Sequence, residues 1–568
     1  MNTLKSLVQA IIQEAFTEEY GSSDSTVQVE YCDLSFGHFT TNIALTSTKE
    51  LQESPSEIAQ KIIARLDKKA EFSHIEMQLP GFINVRLKPE VLLSHLQQIY
   101  DDIDGVVGKP GEGKKMIIDY SHPNIGKPMG VHHLLSTVIG DSIKKVYLQL
   151  GYEVIADNFV GDLGTQFGKL IHAVKTWGDM ATIEKNPVSE LLKLYVHFHI
   201  EAENDDSLDE AGRAEYKKIE DGDPENRALL KKIQAWSMAE MLALYDELGV
   251  SFDYMHGESF YEDKLTGIID LGKKKQIFTE SQGALVCMLD NSDEPPAIIQ
   301  KKDGTSLYLT RDLARIEFWE QTWHPQLMIN VVDVAQNLQL RQVYEVSHKL
   351  GLTTAKNIHV SFGRMQFKDG SMSTRKGNII LVEDVIAETK RRVRDQIVSL
   401  SKDLSQSQED ELTDLLAINA IKYNILRQNR QSNITFDWDS ILSLEGNSAP
   451  YLAYTSVRIQ AIKRLADEKV SSVNANDLEK SLDAEETELL LQLSRVDTVF
   501  LLAEKNFQPS DIANYCYELC RIYNGFYHRH PIITDSGVSQ KRLLLNNASL
   551  RVLERCFSVL GLKMPEKM

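Results

Sequence analysis

Two short stretches of this chain hold side chains suited to handling phosphate. Between Asp119 and His133 lie Asn124, Lys127, His132 and His133, each able to donate a hydrogen bond to an anion. Gly126 and Gly130 stand among them, where a missing Cβ lets backbone approach a ligand closely. The second stretch is Asp369-Gly370-Ser371-Met372-Ser373-Thr374-Arg375-Lys376-Gly377-Asn378, whose hydroxyls, paired cations and glycines suit a loop that closes on polyphosphate. Taken singly, each has a plain alternative: a βα turn with surface histidines for the first, a solvated basic turn for the second. A third candidate, Gly108-x4-Gly113-Lys114-Lys115, has Lys115 where a P-loop needs Ser or Thr for magnesium, and it precedes a strand, so it reads as a linker. Cys516, Cys520, His528 and His530 have a zinc-like flavour. Their neighbours Tyr515, Tyr517, Tyr523 and Phe526 favour an aromatic core helix instead, and no metal ligands are expected.

The elements around the first stretch suit its chemistry. Met116-Ile117-Ile118-Asp119-Tyr120 reads as a buried strand, and Leu134, Leu135, Val138, Ile139, Ile143, Val146 and Leu150 recur at helical spacing, with Gly151 as a stop. Tyr152-Glu153-Val154-Ile155-Ala156 reads as a second strand, which completes a right-handed parallel unit. The loop then ends at a helix N-terminus, where free N–H groups and the helix dipole favour phosphate. Before it, helical spacing over 3–16 and 55–66 and strands near 27–34 and 75–87 predict helices over an antiparallel sheet, and Gly105 to Lys115 reads as a linker. After it, residues 201–226 are so acidic and polar that a solvated, mobile segment is expected. Residues 225–248 read as helix, and strands are predicted at 284–289, 296–300 and 328–333. From about 383 onward the periodicity is helical, which predicts a separate α-bundle.

With 568 residues the chain is too long for one core. Its 42% hydrophobic and 25% charged composition excludes wholesale disorder, and no apolar run approaches the ~18 residues of a membrane span. The N-terminus lacks an export signal pattern and the five cysteines are odd in number, so a reducing, cytoplasmic location is expected. A net charge of −20 argues against non-specific nucleic-acid binding, and no DNA partner is expected. That charge is unevenly spread. Residues 391–568 carry 22 Lys+Arg against 24 Asp+Glu, which makes this nearly neutral third the better surface for a polyanion.

The residues from Asp119 to Thr137, DYSHPNIGKPMGVHHLLST, closely resemble the first class I motif of arginyl-tRNA synthetases, and Ser371 to Gly377 (SMSTRKG) resembles their second. Between them, Tyr308-Leu309-Thr310-Arg311-Asp312 is similar to the family's amino-acid-binding segment. Lys218 to Asp223 (KIEDGD), Gly257 to Tyr261 (GESFY) and Glu445 to Leu452 (EGNSAPYL) match further family segments, and the likeness runs from Gly81 to Met568. The resemblance implies an α/β multidomain protein with a class I Rossmann-like parallel-sheet catalytic domain, an N-terminal α+β domain and a C-terminal all-α helical bundle. The expected boundaries are 1–108 for an additional tRNA-contacting domain, 109–385 for the catalytic domain with insertions at roughly 165–295, and 386–568 for an anticodon-binding domain.

The implied reaction has two steps, arginyl-adenylate formation from ATP and L-arginine, then transfer to tRNA(Arg), with Mg²⁺ arriving with ATP. By resemblance Lys127, His132, His133, Arg375 and Lys376 are catalytic, and Asn124, Gly130, His132, His133, Met372 and Ser373 hold ATP. Asp119, Ser121, Asn124, Tyr308, Asp312 and Gln336 are the implied arginine site. A planar, permanently charged guanidinium is best held by carboxylates, which makes Asp312 the main candidate. Tyr451, Tyr454 and Arg458 are the implied tRNA contacts, pairing aromatics for base stacking with a cation. A monomer is expected by family likeness. The chain departs from the family pattern at Gly130 and His132, where a His and a Gly are usual, at Thr374 for a lysine, which Lys127 is expected to replace, and at Gln339 for a His.

Overall fold

The computed structural model describes residues 3–21, 25–291, 293–302, 308–368, 380–400, 404–468, 481–535 and 537–568. At the N-terminus the helices Leu4–Tyr20, Pro55–Leu66 and Pro89–Asp101 accompany a four-stranded antiparallel sheet. Its strands are Val29–Tyr31, Phe39–Thr41, Phe82–Leu87 and Phe72–Gln78 in spatial order. Thr3 and Ser54 close capping boxes at the first two of these helices. The predicted strand at 75–87 is in fact two antiparallel strands, because Pro80 and Gly81 turn the chain between Gln78 and Phe82.

The next sheet is wholly parallel, in the order Lys356–Phe362, Leu327–Asp333, Lys115–Tyr120, Glu153–Ala156. In chain order the last two of these come first. The connections therefore run in opposite directions from Lys115–Tyr120 and Leu327–Asp333. Such a switch point opens a crevice beyond the carboxyl ends of the two strands. Asp119 and Asn330 are register partners across it. Met116, Ile117, Ile118, Ile329 and Val331 are fully buried, as befits strands covered on both faces. Helix Val131–Gln149 makes the crossover between the first two strands, and Tyr120 packs beneath Gly140, where a Cβ would come within 2.3 Å of the ring.

Between the second and third sheet strands come helices Thr165–Trp177, Pro187–Ala202, Ser207–Glu220 and Pro224–Leu248. A three-stranded antiparallel sheet and helix Tyr308–Trp323 follow. Residues 201–226 are solvated as expected, most of them exposed, and much of the segment is regular helix. Ser207–Glu220 is a helix that packs against Thr165–Trp177, and a Cβ on Gly168 would stand 2.1 Å from the Gly212 carbonyl, so the two backbones nearly touch. Lys175 Nζ donates to Glu215 (3.1 Å) and Asn226 (2.5 Å), which ties this helix to its neighbours.

The C-terminal third is helical as expected, with Gln406–Leu426, Ala449–Asp467, Ala484–Leu493, Val496–Asn506, Pro509–Arg529 and Gln540–Val559 as its main members. Cys516 and Cys520 lie fully buried in this bundle together with Cys556 and Tyr523. No helix of the described residues is long and apolar enough to cross a membrane.

Candidate functional site

A cavity of about 290 Å³ opens at the switch point, beyond the carboxyl ends of Lys115–Tyr120 and Leu327–Asp333. Its walls include Asn124, Glu258, Tyr308, Asp312, Arg315, Gln336 and Gln339. Helical spacing on Tyr308–Trp323 puts Tyr308, Asp312 and Arg315 on one side of the helix. Tyr308, 62% exposed, stands at the mouth, whereas Asp312 and Arg315 are buried. The short helical turn Val334–Gln336 and the helix Asn337–Leu350 bring in Gln336 and Gln339.

Asp119 has no exposure and lies behind the wall, not among the lining residues. Its Oδ2 accepts from Arg315 Nη1 and from Asn330 Nδ2 (3.0 Å), and His122 Nε2 lies 2.9 Å away. Burial alone would raise its pKa, but His122 and Arg315 overcome that and bring it to about 2. Asp312 accepts from Arg315 Nη2 (2.9 Å) and from Gln339 Nε2 (3.1 Å). Its pKa is nevertheless raised, because burial outweighs these fewer partners. Asp312 is thus an ion-pair carboxylate that also lines the cavity.

Glu258 was not singled out by residue reasoning, though it sits in the family-like segment Gly257 to Tyr261. It is buried at the cavity wall and makes no ion pair among the described residues. Burial pushes its pKa up to about 7, against the pull of Arg311. A cationic ligand needs the ionised form. Affinity for arginine is therefore expected to rise as pH increases from 6 to 8, by up to about tenfold per unit below the pKa. Calorimetric titration across that range checks this, with Glu258→Gln expected to flatten the profile.

Ser121 is not among the lining residues: its hydroxyl bonds Tyr245 (2.7 Å) and Thr137 (2.8 Å) in the interior. Asn124 reaches the wall because the loop is pinned to Gly161, through Ile125 N–H to Gly161 O (3.0 Å) and Gly161 N–H to Pro123 O (2.9 Å). Gly130 caps helix Val131–Gln149. His133 Nδ1 accepts from the Gly130 N–H (3.1 Å), which leaves Nε2 as the proton-bearing donor. The His132 and His133 rings are 3.9 Å apart. Burial lowers both pKa values, that of His133 to about 3, so both are neutral hydrogen-bond donors at neutral pH.

Lys127 supplies the loop's permanent charge. Its ammonium stands 4.2 Å from the centre of the Tyr195 ring and has no ion pair among the described residues. Val131 N–H bonds Ile380 O (3.0 Å) and Val382 N–H bonds Met129 O (2.9 Å), which ties this loop to the chain that follows the second phosphate-like stretch. Met372, Ser373, Arg375 and Lys376 themselves lie outside the described residues.

In the bundle, Arg458 is sandwiched between the Tyr454 and Tyr527 rings, 4.9 Å from each, and bonds Asn524. Tyr451 OH accepts from Asn524 Nδ2 (3.0 Å), so it is part of the packing, while Tyr454 is half-exposed. Tyr454 joins Val393, Leu412, Leu444, Pro450 and Met568 around an apolar groove of about 270 Å³.

A parallel sheet with a cavity at its switch point, a phosphate-suited loop entering a helix and a trailing helical bundle frame the site, and its catalytic part matches the class I aminoacyl-tRNA synthetases. Residues 95–438 match the model for the tRNA synthetases class I (R) catalytic domain. Residues 452–568 match the DALR anticodon binding domain, and residues 2–87 the arginyl tRNA synthetase N terminal domain. The chain belongs to the arginyl-tRNA synthetase family. It is 38% identical over 536 residues to the arginine–tRNA ligase of Fusobacterium nucleatum, covering 94% of both chains. With that of Clostridium perfringens it shares 36% over 526 residues, 92% of both. The Plasmodium falciparum arginyl-tRNA synthetase structure superposes with a TM-score of 0.85 at 26% identity, all of both chains being covered. The Thermus thermophilus enzyme shares the fold, at 0.81 and 21% over all of both chains.

Proposed function

We propose that this chain ligates L-arginine to tRNA(Arg) through arginyl-adenylate: ATP + L-arginine + tRNA(Arg) = AMP + diphosphate + L-arginyl-tRNA(Arg). The observation that carries this reading is the switch-point cavity, where Asp312 and Glu258 offer carboxylates beside a loop bearing Lys127. The arginine guanidinium sits against Asp312 and Glu258 with Tyr308 closing the mouth, and Asn124 and Gln336 orient its other end. The adenylate step needs the substrate carboxylate held in line with the α-phosphate while charge builds on the phosphate oxygens. Lys127 supplies a cation there and His133 a neutral N–H donor, with Arg375 and Lys376 assigned to the same phosphates. Asn124, Gly130, His132, Met372 and Ser373 complete the ATP site, and Mg²⁺ enters with ATP as part of the substrate.

The tRNA is assigned to the bundle. Tyr454 and Arg458 offer a stacking face beside an apolar groove, in the third of the chain that carries almost no net charge. Tyr451 supports that face through Asn524. The proposed units are 1–108, 109–385 and 386–568, the first reading the outer corner of the tRNA, in a cytoplasmic monomer.

ATP–pyrophosphate exchange with each amino acid in turn, with and without tRNA, tests the proposal. Exchange is expected with arginine plus tRNA alone. Exchange driven by another amino acid, or none with any, contradicts it.

A further inference from the structure

Among the described residues that line the switch-point cavity, Arg315 is the only permanent cation. Its guanidinium forks between two carboxylates, Nη1 to Asp119 Oδ2 and Nη2 to Asp312 Oδ1 at 2.9 Å. The group lies 4.5 Å from the Phe159 ring centre and 4.8 Å from that of Trp319. Its side chain is 3% exposed, and Nε has no hydrogen-bond partner among the described residues. A planar cation held bidentately by carboxylates and covered by aromatic rings is also the arrangement a free guanidinium ligand would seek. The chain's own residue therefore takes up much of the negative charge that the cavity would otherwise present.

We propose that Arg315 sets the affinity of the arginine site: it occupies Asp119 and one oxygen of Asp312 from within the chain, leaving Glu258 and Asp312 Oδ2, which Gln339 Nε2 also reaches at 3.1 Å, to hold the substrate's guanidinium. This rests on reading the cavity as the arginine site. Arg315 thereby acts as a brake on affinity, since two guanidinium groups then share one cavity. At an effective dielectric of about 20, like charges sharing one cavity repel strongly enough to weaken binding about tenfold. An uncharged side chain of the same shape feels no such repulsion.

The test measures dissociation constants of the full chain for L-arginine and for L-citrulline, its uncharged near-isostere, by calorimetry. Arg315→Gln removes the charge but keeps a polar NH₂ group on a shorter side chain, Arg315→Met removes charge and donors alike, and Arg315→Lys keeps the charge without the fork. Arginine is expected to bind about tenfold more tightly to the Gln and Met variants, with citrulline changed less than about twofold. The Lys variant is expected to stay within about threefold of the parent for both ligands. Arg315→Gln protects the test if Arg315→Met fails to fold. Parallel changes for arginine and citrulline, or weaker arginine binding to Arg315→Gln, would reduce Arg315 to a scaffold and overturn the inference. A parent chain that shows no preference for arginine over citrulline sinks the assignment of the cavity, and this inference with it. A clear preference without the gain sinks this inference alone.

Discussion

Asp312→Asn raises the KM for arginine by roughly 30- to 1,000-fold, equivalent to about 2–4 kcal/mol, and lowers kcat at saturating arginine far less. The effect is large because Asp312 is buried, so its charge is poorly screened by water. The scaffold tolerates the change: the asparagine carbonyl still accepts from Arg315, whose other nitrogen keeps Asp119. The new amide nitrogen would meet Gln339 Nε2, a conflict that rotation of the Gln339 amide relieves. Steady-state exchange kinetics separate the two parameters, since loss of ground-state binding raises KM whereas misfolding removes activity from both. An unchanged KM would place the guanidinium elsewhere in the cavity.

The second large effect is on stability. Glu486 has no exposed side-chain surface, and its carboxylate meets Lys541 Nζ at 2.6 Å and Arg542 Nε at 3.1 Å. The same residue closes a capping box with Asp483 at the start of helix Ala484–Leu493. Glu486→Leu removes the anion but leaves both cations, and Lys541 is nearly as buried. Breaking such a pair costs about 3–5 kcal/mol, and loss of the cap adds to it. Calorimetric scans of the full chain should show the transition that includes the bundle moved down by several degrees, and a double change of Glu486 and Lys541 to apolar residues should recover part of the loss. Because the chain has several cores, the scan must be read transition by transition.

The parallel βαβ unit, the helical C-terminal third and the N-terminal antiparallel sheet could be read directly from the chain. Their signals are local: strand 116–120 is apolar apart from Asp119, and the helix from Val131 carries its apolar residues at intervals of three and four. The same held for Asn124, Tyr308, Asp312 and Gln336, whose likeness to family segments marked them before any fold was known and which the cavity gathers from three separate parts of the chain. For residues 201–226 composition reported solvent preference residue by residue but not the packing of the helix they form. The Gly168–Gly212 contact and the Lys175–Glu215–Asn226 bonds that order this segment join positions 40 or more apart.

Sequence was therefore sufficient for the family, the order of the elements and Asn124, Tyr308, Asp312 and Gln336 of the cavity wall, since periodicity and motif spacing are properties of neighbours along the chain. Folding decided the charge state of the cavity. Arg315 lies three residues from Asp312 but 196 from Asp119, and only the closed sheet brings its guanidinium to both. Glu258 owes its near-neutral pKa to burial by distant segments, and Ser121 is turned inward by Tyr245. Electrostatic character depends on what surrounds a group in three dimensions, and that is set by packing between remote parts of the chain.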